Sequence, residues 1–400
     1  MKNFIFISPN FPANYWKFCY ELKKNGMRVL GIGDCPYPEL PQHLRESLDE
    51  YYKVSNLENY DEVFRAVAFF TYKYGKIDWL ESNNEYWLER DAALRTEFHI
   101  TTGFRTGDMA RVKLKSAMKA YYAKAGIKTA RYHLVSGFDD ASEFAHEVGY
   151  PVIVKPDNGV GANNTYRLQN DDELQFFIDT KDDNVYIMEE FVNGHVRTYD
   201  AIINSKGEPL FESGNVTPES IMDIVNSNDN SIYYIVKDLA PEMREIGRKT
   251  VEAFKVRSRF VHLEFFILNA DQPGLGNKGD ILGLEVNMRP AGGYTTDLFD
   301  FSNETDVYKI WADMVCFDRS TVPADRPHHF CGFCGRRDGK NFVLDHNAVM
   351  AKYAPNIKMY GRIPDALSGA MANQMYVANF DTEEELQAFY ADLLAEKTEL

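Results

Sequence analysis

His262-Leu263-Glu264-Phe265-Phe266 and, farther on, Leu284-Glu285-Val286-Asn287-Met288-Arg289-Pro290 are the segments on which the fold of this chain turns. Read as strands over 260–268 and 281–289, they alternate. Leu284, Val286 and Met288 share one face, and Glu285, Asn287 and Arg289 share the other. Antiparallel pairing across the Gly-rich connection 269–280 sets Glu264 opposite Glu285 and His262 opposite Asn287, so the polar groups gather on one face. Two facing carboxylates repel unless a cation sits between them. A set made of oxygen donors alone favours magnesium or manganese over zinc. Magnesium held by so few protein ligands usually holds nucleotide phosphates as well, so the strand pair predicts a nucleotide-dependent enzyme.

The bulk properties fit that expectation. Four hundred residues suffice for two or three domains. A formal net charge of -16 argues against non-specific nucleic-acid binding, which needs clustered Lys and Arg. No apolar run reaches the length of a membrane span, and Met1–Ser8 reads as a first strand rather than a signal peptide. Five cysteines make no disulfide framework, so the chain reads as a reduced, cytoplasmic protein. Cys331 and Cys334 form a C-x-x-C, but with His328 and His329 crowded beside them and no second pair they read as part of a buried strand.

Upstream of the strand pair, the first ~105 residues alternate strand and helix, with strands at Phe4–Ile7, Val29–Ile32, Tyr51–Val54 and Ile77–Leu80 and helices at Tyr15–Lys24 and Asn84–Phe98. The first turn, Ser8-Pro9-Asn10-Phe11-Pro12, lacks the glycines of a dinucleotide fingerprint. Gly149-Tyr150-Pro151-Val152-Ile153-Val154-Lys155 is a turn and a buried strand ending in a lysine, followed by the Gly/Asn-rich loop 157–165, with Gly159 and Gly161. Such a loop can turn backbone N–H groups on an anion, and Lys155 adds a point charge, although a plain hairpin turn reads equally well from the residues alone. Lys113-Leu114-Lys115 opens a helix that reaches Ala125-Gly126-Ile127. Val185–Gly194 is a strand running into a turn, with Glu189, Glu190 and Val192 at its end. Gly274-Leu275-Gly276-Asn277-Lys278-Gly279 is a literal G-x-G-x-x-G, but a strand follows it rather than a helix, so it reads as a hairpin loop.

In their fixed order these segments resemble the ATP-grasp superfamily over roughly 106–315. Residues 1–105 resemble the Rossmann-like domain that precedes it in biotin carboxylase-like and carboxylate–amine ligases. The resemblance implies an α/β and α+β chain: a parallel-sheet domain at 1–105, an ATP-grasp domain at 106–315 (lysine, loop and hinge elements in 106–200, the metal site in 201–315), and a strand-rich subdomain at 316–400. It implies ATP and Mg²⁺ or Mn²⁺ as cofactors. Lys115 and Lys155 match the phosphate-contacting lysines, Gly159 and Gly161 the loop that closes over ATP, and Glu189, Glu190 and Val192 the adenine-holding hinge. Glu264, Glu285 and Asn287 match the metal ligands, and Arg289 the arginine that stabilises phosphoryl transfer. Some relatives carry a ribose-binding glutamate where this chain has Val196, which leaves Arg197 and Asp200 as polar candidates nearby. The activity implied is amide formation from a small carboxylate, an amino acid or peptide, and an amine through an acyl phosphate. Bicarbonate activation, or ATP binding without ligation, are the rival readings. The resemblance implies neither a nucleic-acid nor a membrane partner and admits a homodimer. Substrate specificity is expected between Ser8–Pro12, Ser82–Glu85 and the turn Ala291–Tyr294.

Overall fold

A computed structural model describes residues 1–159, 164–218 and 229–397. Strands β1 (Asn3–Ile7), β2 (Arg28–Gly33), β3 (Glu50–Lys53) and β4 (Trp79–Glu81) form a parallel sheet in the order β3-β2-β1-β4. The apolar runs of β1, β2 and β4 are buried on both faces, as a parallel sheet flanked by helices requires, while edge strand β3 is half-buried. Sequence places these strands within two residues. The expected helix 84–98 begins instead with a 3₁₀ turn, Glu85–Trp87, which presents Glu85 before the α-helix Leu88–Glu97.

A second sheet, in the order β5-β8-β6-β7, is built from β5 (Tyr132–Leu134), β6 (Val152–Pro156), β7 (Tyr166–Leu168) and β8 (Tyr186–Glu190), all antiparallel. The third and largest sheet runs β14-β13-β9-β11-β12-β15-β17-β16, with β10 on β9. Its strands are β9 (Gly194–Ile203), β10 (Pro209–Ser213), β11 (Asn215–Thr217), β12 (Ser231–Ile235), β13 (Arg259–Leu268), β14 (Ile281–Asn287), β15 (Phe330–Arg336), β16 (Ile357–Arg362) and β17 (Gln374–Phe380). Cys331 and Cys334 lie buried within β15, and the literal G-x-G-x-x-G lies in the β13–β14 hairpin.

One face of the large sheet is apolar. Tyr199, Ala201, Val261, Leu263, Phe265, Val286 and Met288 pack there on Met118 and Tyr122 of helix Lys115–Lys124 and on Met243 and Val251 of helix Pro241–Ala253. The second helix approaches so closely that a Cβ at Gly247 would lie 2.2 Å from the Tyr199 ring. That ring is fully buried and its hydroxyl is tied to Glu212 at 2.7 Å, so it has nowhere to move. Gly247→Ala gains about 1 kcal/mol of helix propensity, but overpacking costs about 1–3 kcal/mol. A net loss is therefore expected, read as a lower urea midpoint at unchanged slope.

The parallel sheet is locked onto the third sheet through the helices that follow Arg289. Phe18 meets Trp311 at 4.9 Å and Tyr308 at 4.7 Å between ring centroids, while Asn14 donates to Asp297 at 2.8 Å and Tyr308 at 3.0 Å. A buried ion cluster ties the same units at the site itself. Glu81, at the end of β4, accepts from Arg95 at 2.8 Å and from Arg259, at the start of β13, at 2.5 Å. Arg259 also donates to the Met288 carbonyl, one residue before Arg289. The turn that carries Arg289 is thus held from the N-terminal sheet.

Candidate active site

The β13–β14 pair adopts the register its sequence predicts, with His262 opposite Asn287 and Glu264 opposite Glu285. Strict alternation does not survive. A β-bulge falls between Glu264 and Phe265, where Phe265 pairs with Gly283 and Leu284 is the extra residue. Leu282 thereby moves to the Phe266 side and joins Ala130, Val192, Leu268 and Leu275 in a small apolar cluster, while Val286 and Met288 stay in the opposite core. The bulge places apolar surface directly beside the carboxylates.

Around Glu264 and Glu285 the polar groups are ordered by charge. Asn287 donates to Glu264 at 3.3 Å, and Arg289 donates to Asn287 at 3.4 Å. His262 stands between Asp200, 2.8 Å from its Nδ1, and Glu264, 3.2 Å from its Nε2. Burial lowers the His262 pKa, but the two carboxylates outweigh it and hold the imidazolium up to about 9. Burial likewise opposes the charge on Glu264, yet His262 brings it below the ordinary carboxylate range. Glu285 lies above that range, because burial and the neighbouring Glu264 exceed what the Lys115 ammonium at 3.4 Å returns. Among the described residues no three His, Cys, Asp or Glu side chains are arranged to hold a metal ion by themselves. The donor set is two carboxylates and an amide oxygen, which suits a hard divalent cation.

The expected continuous helix from Lys113 is broken at Leu114, whose extended backbone separates Met109–Lys113 from Lys115–Lys124. The break lets Asp157 cap the second helix: its carbonyl accepts from Lys115 N–H at 3.0 Å, and its carboxylate accepts from Ser116 N–H at 2.7 Å and Ser116 Oγ at 2.8 Å. Lys115 is thereby fixed at a helix N-terminus with Nζ also 3.3 Å from the Gly159 carbonyl. Lys113 turns away to pair with Glu85 at 2.9 Å. Glu85 in turn lies 3.9 Å from Arg289, and its Oε2 is buried without a hydrogen-bond partner. Gly161 and the centre of loop 157–165 lie outside the described residues.

Lys155, at the end of β6, pairs with Glu189 at 2.7 Å, and Lys119 pairs with the other Glu189 oxygen. Burial pushes the Glu189 carboxyl up, but the two ammoniums overcome this and hold it down at about 2. A depressed carboxyl stabilises the fold above its unfolded pKa of about 4.5 and loses that contribution as the pH falls through about 2. The stability difference between the wild type and Glu189→Gln should therefore shrink by about 3 kcal/mol between pH 5 and pH 2, measured by urea unfolding across that window. Glu190 is engaged elsewhere, accepting from Arg131 N–H at 2.7 Å and from its guanidinium at 2.8 and 3.0 Å. Val192 sits in the apolar cluster beside the bulge.

Neither polar candidate near Val196 presents a free group on the carboxylate face. Arg197 pairs opposite Phe265 and so lies on the other face of the sheet. Asp200 is on the carboxylate side, but it is fully buried, accepts from Thr198 and pairs with His262. Sequence reasoning missed Lys119 and the Asp200–His262 contact. Lys119 had a usable signal: it is four residues after Lys115 and so on the same helix face. Asp200 and His262 meet only through the β9–β13 register, which nothing local encodes.

The three sheets, with Lys115 paired to Glu285 of the β13–β14 hairpin and Lys155 to Glu189 of β8, form the ATP-grasp fold. Residues 111–201 match the family described as carbamoyl-phosphate synthase L chain, ATP binding domain. The chain is similar to the L-arginine-specific L-amino acid ligase of Bacillus subtilis, at 25% identity over 58% of this chain and 56% of that protein. It is also similar to D-alanine–D-alanine ligase B of Clostridium perfringens, at 26% identity over 48% of this chain and 62% of that one. The match thus spans less than two thirds of either relative's own length. In three dimensions it resembles the L-amino acid ligase of Bacillus licheniformis, with a TM-score of 0.72 at 16% identity, over 99% of both chains. Among the described residues no helix is long and apolar enough to cross a membrane.

Proposed function

We propose that this chain is an ATP-dependent carboxylate–amine ligase acting on small molecules. The observation that carries the reading is the convergence of Lys115, Lys155 and Arg289 on the oxygen set Glu264, Glu285 and Asn287, which together suit a polyphosphate and its metal. Val192, Leu275, Leu282 and Phe266 offer an apolar surface for adenine beside the end of β8, whose backbone can supply donors and acceptors to the base edge. Glu264, Glu285 and Asn287 would hold Mg²⁺, which when bound neutralises charge on the transferring phosphoryl group.

The side chains act chiefly by position and charge. Lys115 and Lys155 balance the phosphates, and Arg289, braced by Glu85 and by the Met288 carbonyl held on Arg259, faces the transferring group. A substrate carboxylate oxygen attacks the γ-phosphorus and ADP leaves, giving an acyl phosphate. The amine nitrogen then attacks that carbonyl, loses a proton, and phosphate departs to leave the amide. Glu85 lies between Lys113 and Arg289 at the mouth of the N-terminal sheet and is suited to meet a substrate ammonium there.

The test is a product assay with MgATP and a panel of amino acids. ADP and phosphate should form together with an amide, one for one. Formation of AMP and pyrophosphate would rule out the acyl phosphate. The match of residues 111–201 to a carbamoyl-phosphate synthase domain makes bicarbonate the competing carboxyl. Phosphate release that follows bicarbonate and ignores every amino acid would replace ligation with bicarbonate activation.

A further inference from the structure

Glu189 has two lysines, one for each oxygen. Lys155 Nζ is 2.7 Å from Oε2, and Lys119 Nζ contacts Oε1. All three side chains are largely withdrawn from water, at 5% exposure for Glu189, 4% for Lys119 and 12% for Lys155. The two lysines are held very differently. Lys119 projects from the middle of helix Lys115–Lys124, which the buried Met118 and Tyr122 anchor in the core, and its ammonium lies 5.9 Å from the Tyr132 ring. Lys155 ends a strand just before loop 157–165 and also senses Glu285 and Glu264 across the site. If Lys155 turns to a polyphosphate, its ammonium can no longer satisfy Glu189 in full. A buried carboxylate stripped of its only cation would be strongly unfavourable. Here a second cation is already in place.

We propose that Lys119 is a positioning residue for the nucleotide: it retains the charge of Glu189 and so frees Lys155 for the phosphates. Lys119 touches no phosphate in this scheme. It acts through Glu189, and the inference rests on the assignment of Lys155 to the ATP site. The two lysines divide one task, with Lys119 as the fixed counter-ion of Glu189 and Lys155 as the exchangeable one.

The test is a thermodynamic cycle read as MgATP affinity by calorimetry, with folding checked by thermal unfolding. Lys119→Met should weaken MgATP binding on the order of 100-fold, because Glu189 then competes with the phosphates for Lys155. Adding Glu189→Gln to that variant should restore affinity to within about threefold of the wild type, since the stranded charge is gone. Should Lys119→Met fail to fold, Glu189→Gln alone compared with the double variant serves the same purpose. The two should bind alike, and a tenfold loss from Lys119→Met in the Glu189→Gln background would overturn the proposal. Unchanged affinity in Lys119→Met, or a loss that Glu189→Gln does not repair, would overturn it as well. Each of those outcomes leaves the ATP site standing, whereas a wild type that binds no MgATP overturns the functional reading and this inference with it.

Discussion

Glu285→Gln should lower turnover by about 10²–10³-fold, the scale on which removing one charge-stabilising group acts. The reasoning combines two terms. With the carboxylate gone, the donor set around Glu264 and Asn287 loses one of its two negative charges, so a divalent cation and the nucleotide phosphates it accompanies bind less well. In the metal-free protein the sign is opposite. Burial already holds the Glu285 pKa above the ordinary carboxylate range and Glu264 adds to this, so the ionised side chain costs stability at neutral pH. The variant should therefore melt at or above the wild-type temperature without metal and gain less from MgATP. Phosphate release and paired thermal melts check both halves. Full activity, or a variant destabilised without metal, would contradict the assigned role.

Glu81→Gln should destabilise the fold by about 3–5 kcal/mol, measured by urea unfolding. Glu81 is the shared partner of the buried Arg95 and Arg259, whose side chains are 0% and 3% exposed. Neutralising it strips Arg259 of its direct ion-pair partner and leaves Arg95 only Asp91, 3.9 Å away, so the loss is a large part of the 5–15 kcal/mol of a typical domain. Arg259→Met should cost less, because Glu81 then keeps Arg95 at 2.8 Å. In the double variant the two losses should not add, since the second change removes one of the stranded cations. A Glu81→Gln loss below 1 kcal/mol would show that the cluster does not secure the Arg289 turn.

The sequence spoke most clearly where a pattern was local. Alternating polar residues were enough to give the β13–β14 register, and the hairpin reading of 274–279 followed from the strand behind it. The bulge at Leu284 was hidden, because one extra residue alters pairing without altering composition. The break at Leu114 was hidden too, since it depends on Asp157, which caps the following helix from 41 residues away in the chain. Asp200 read as an alternative ribose contact until the β9–β13 pairing put it behind His262. Lys119 was passed over, because its partner is a buried carboxylate on β8, far along the chain. Charges satisfied across long sequence separations carry no local signature, and this site is made largely of them.

The most direct measurement is an anomalous-scattering map from crystals grown with Mn²⁺ and a non-hydrolysable ATP analogue. The account predicts a manganese peak about 2.2 Å from oxygens of Glu264, Glu285 and Asn287, with the phosphates reached by Lys115 and Lys155 and the adenine against Val192 and Leu282. A nucleotide bound elsewhere, or a manganese peak that leaves Glu264 and Glu285 uncoordinated, would contradict it.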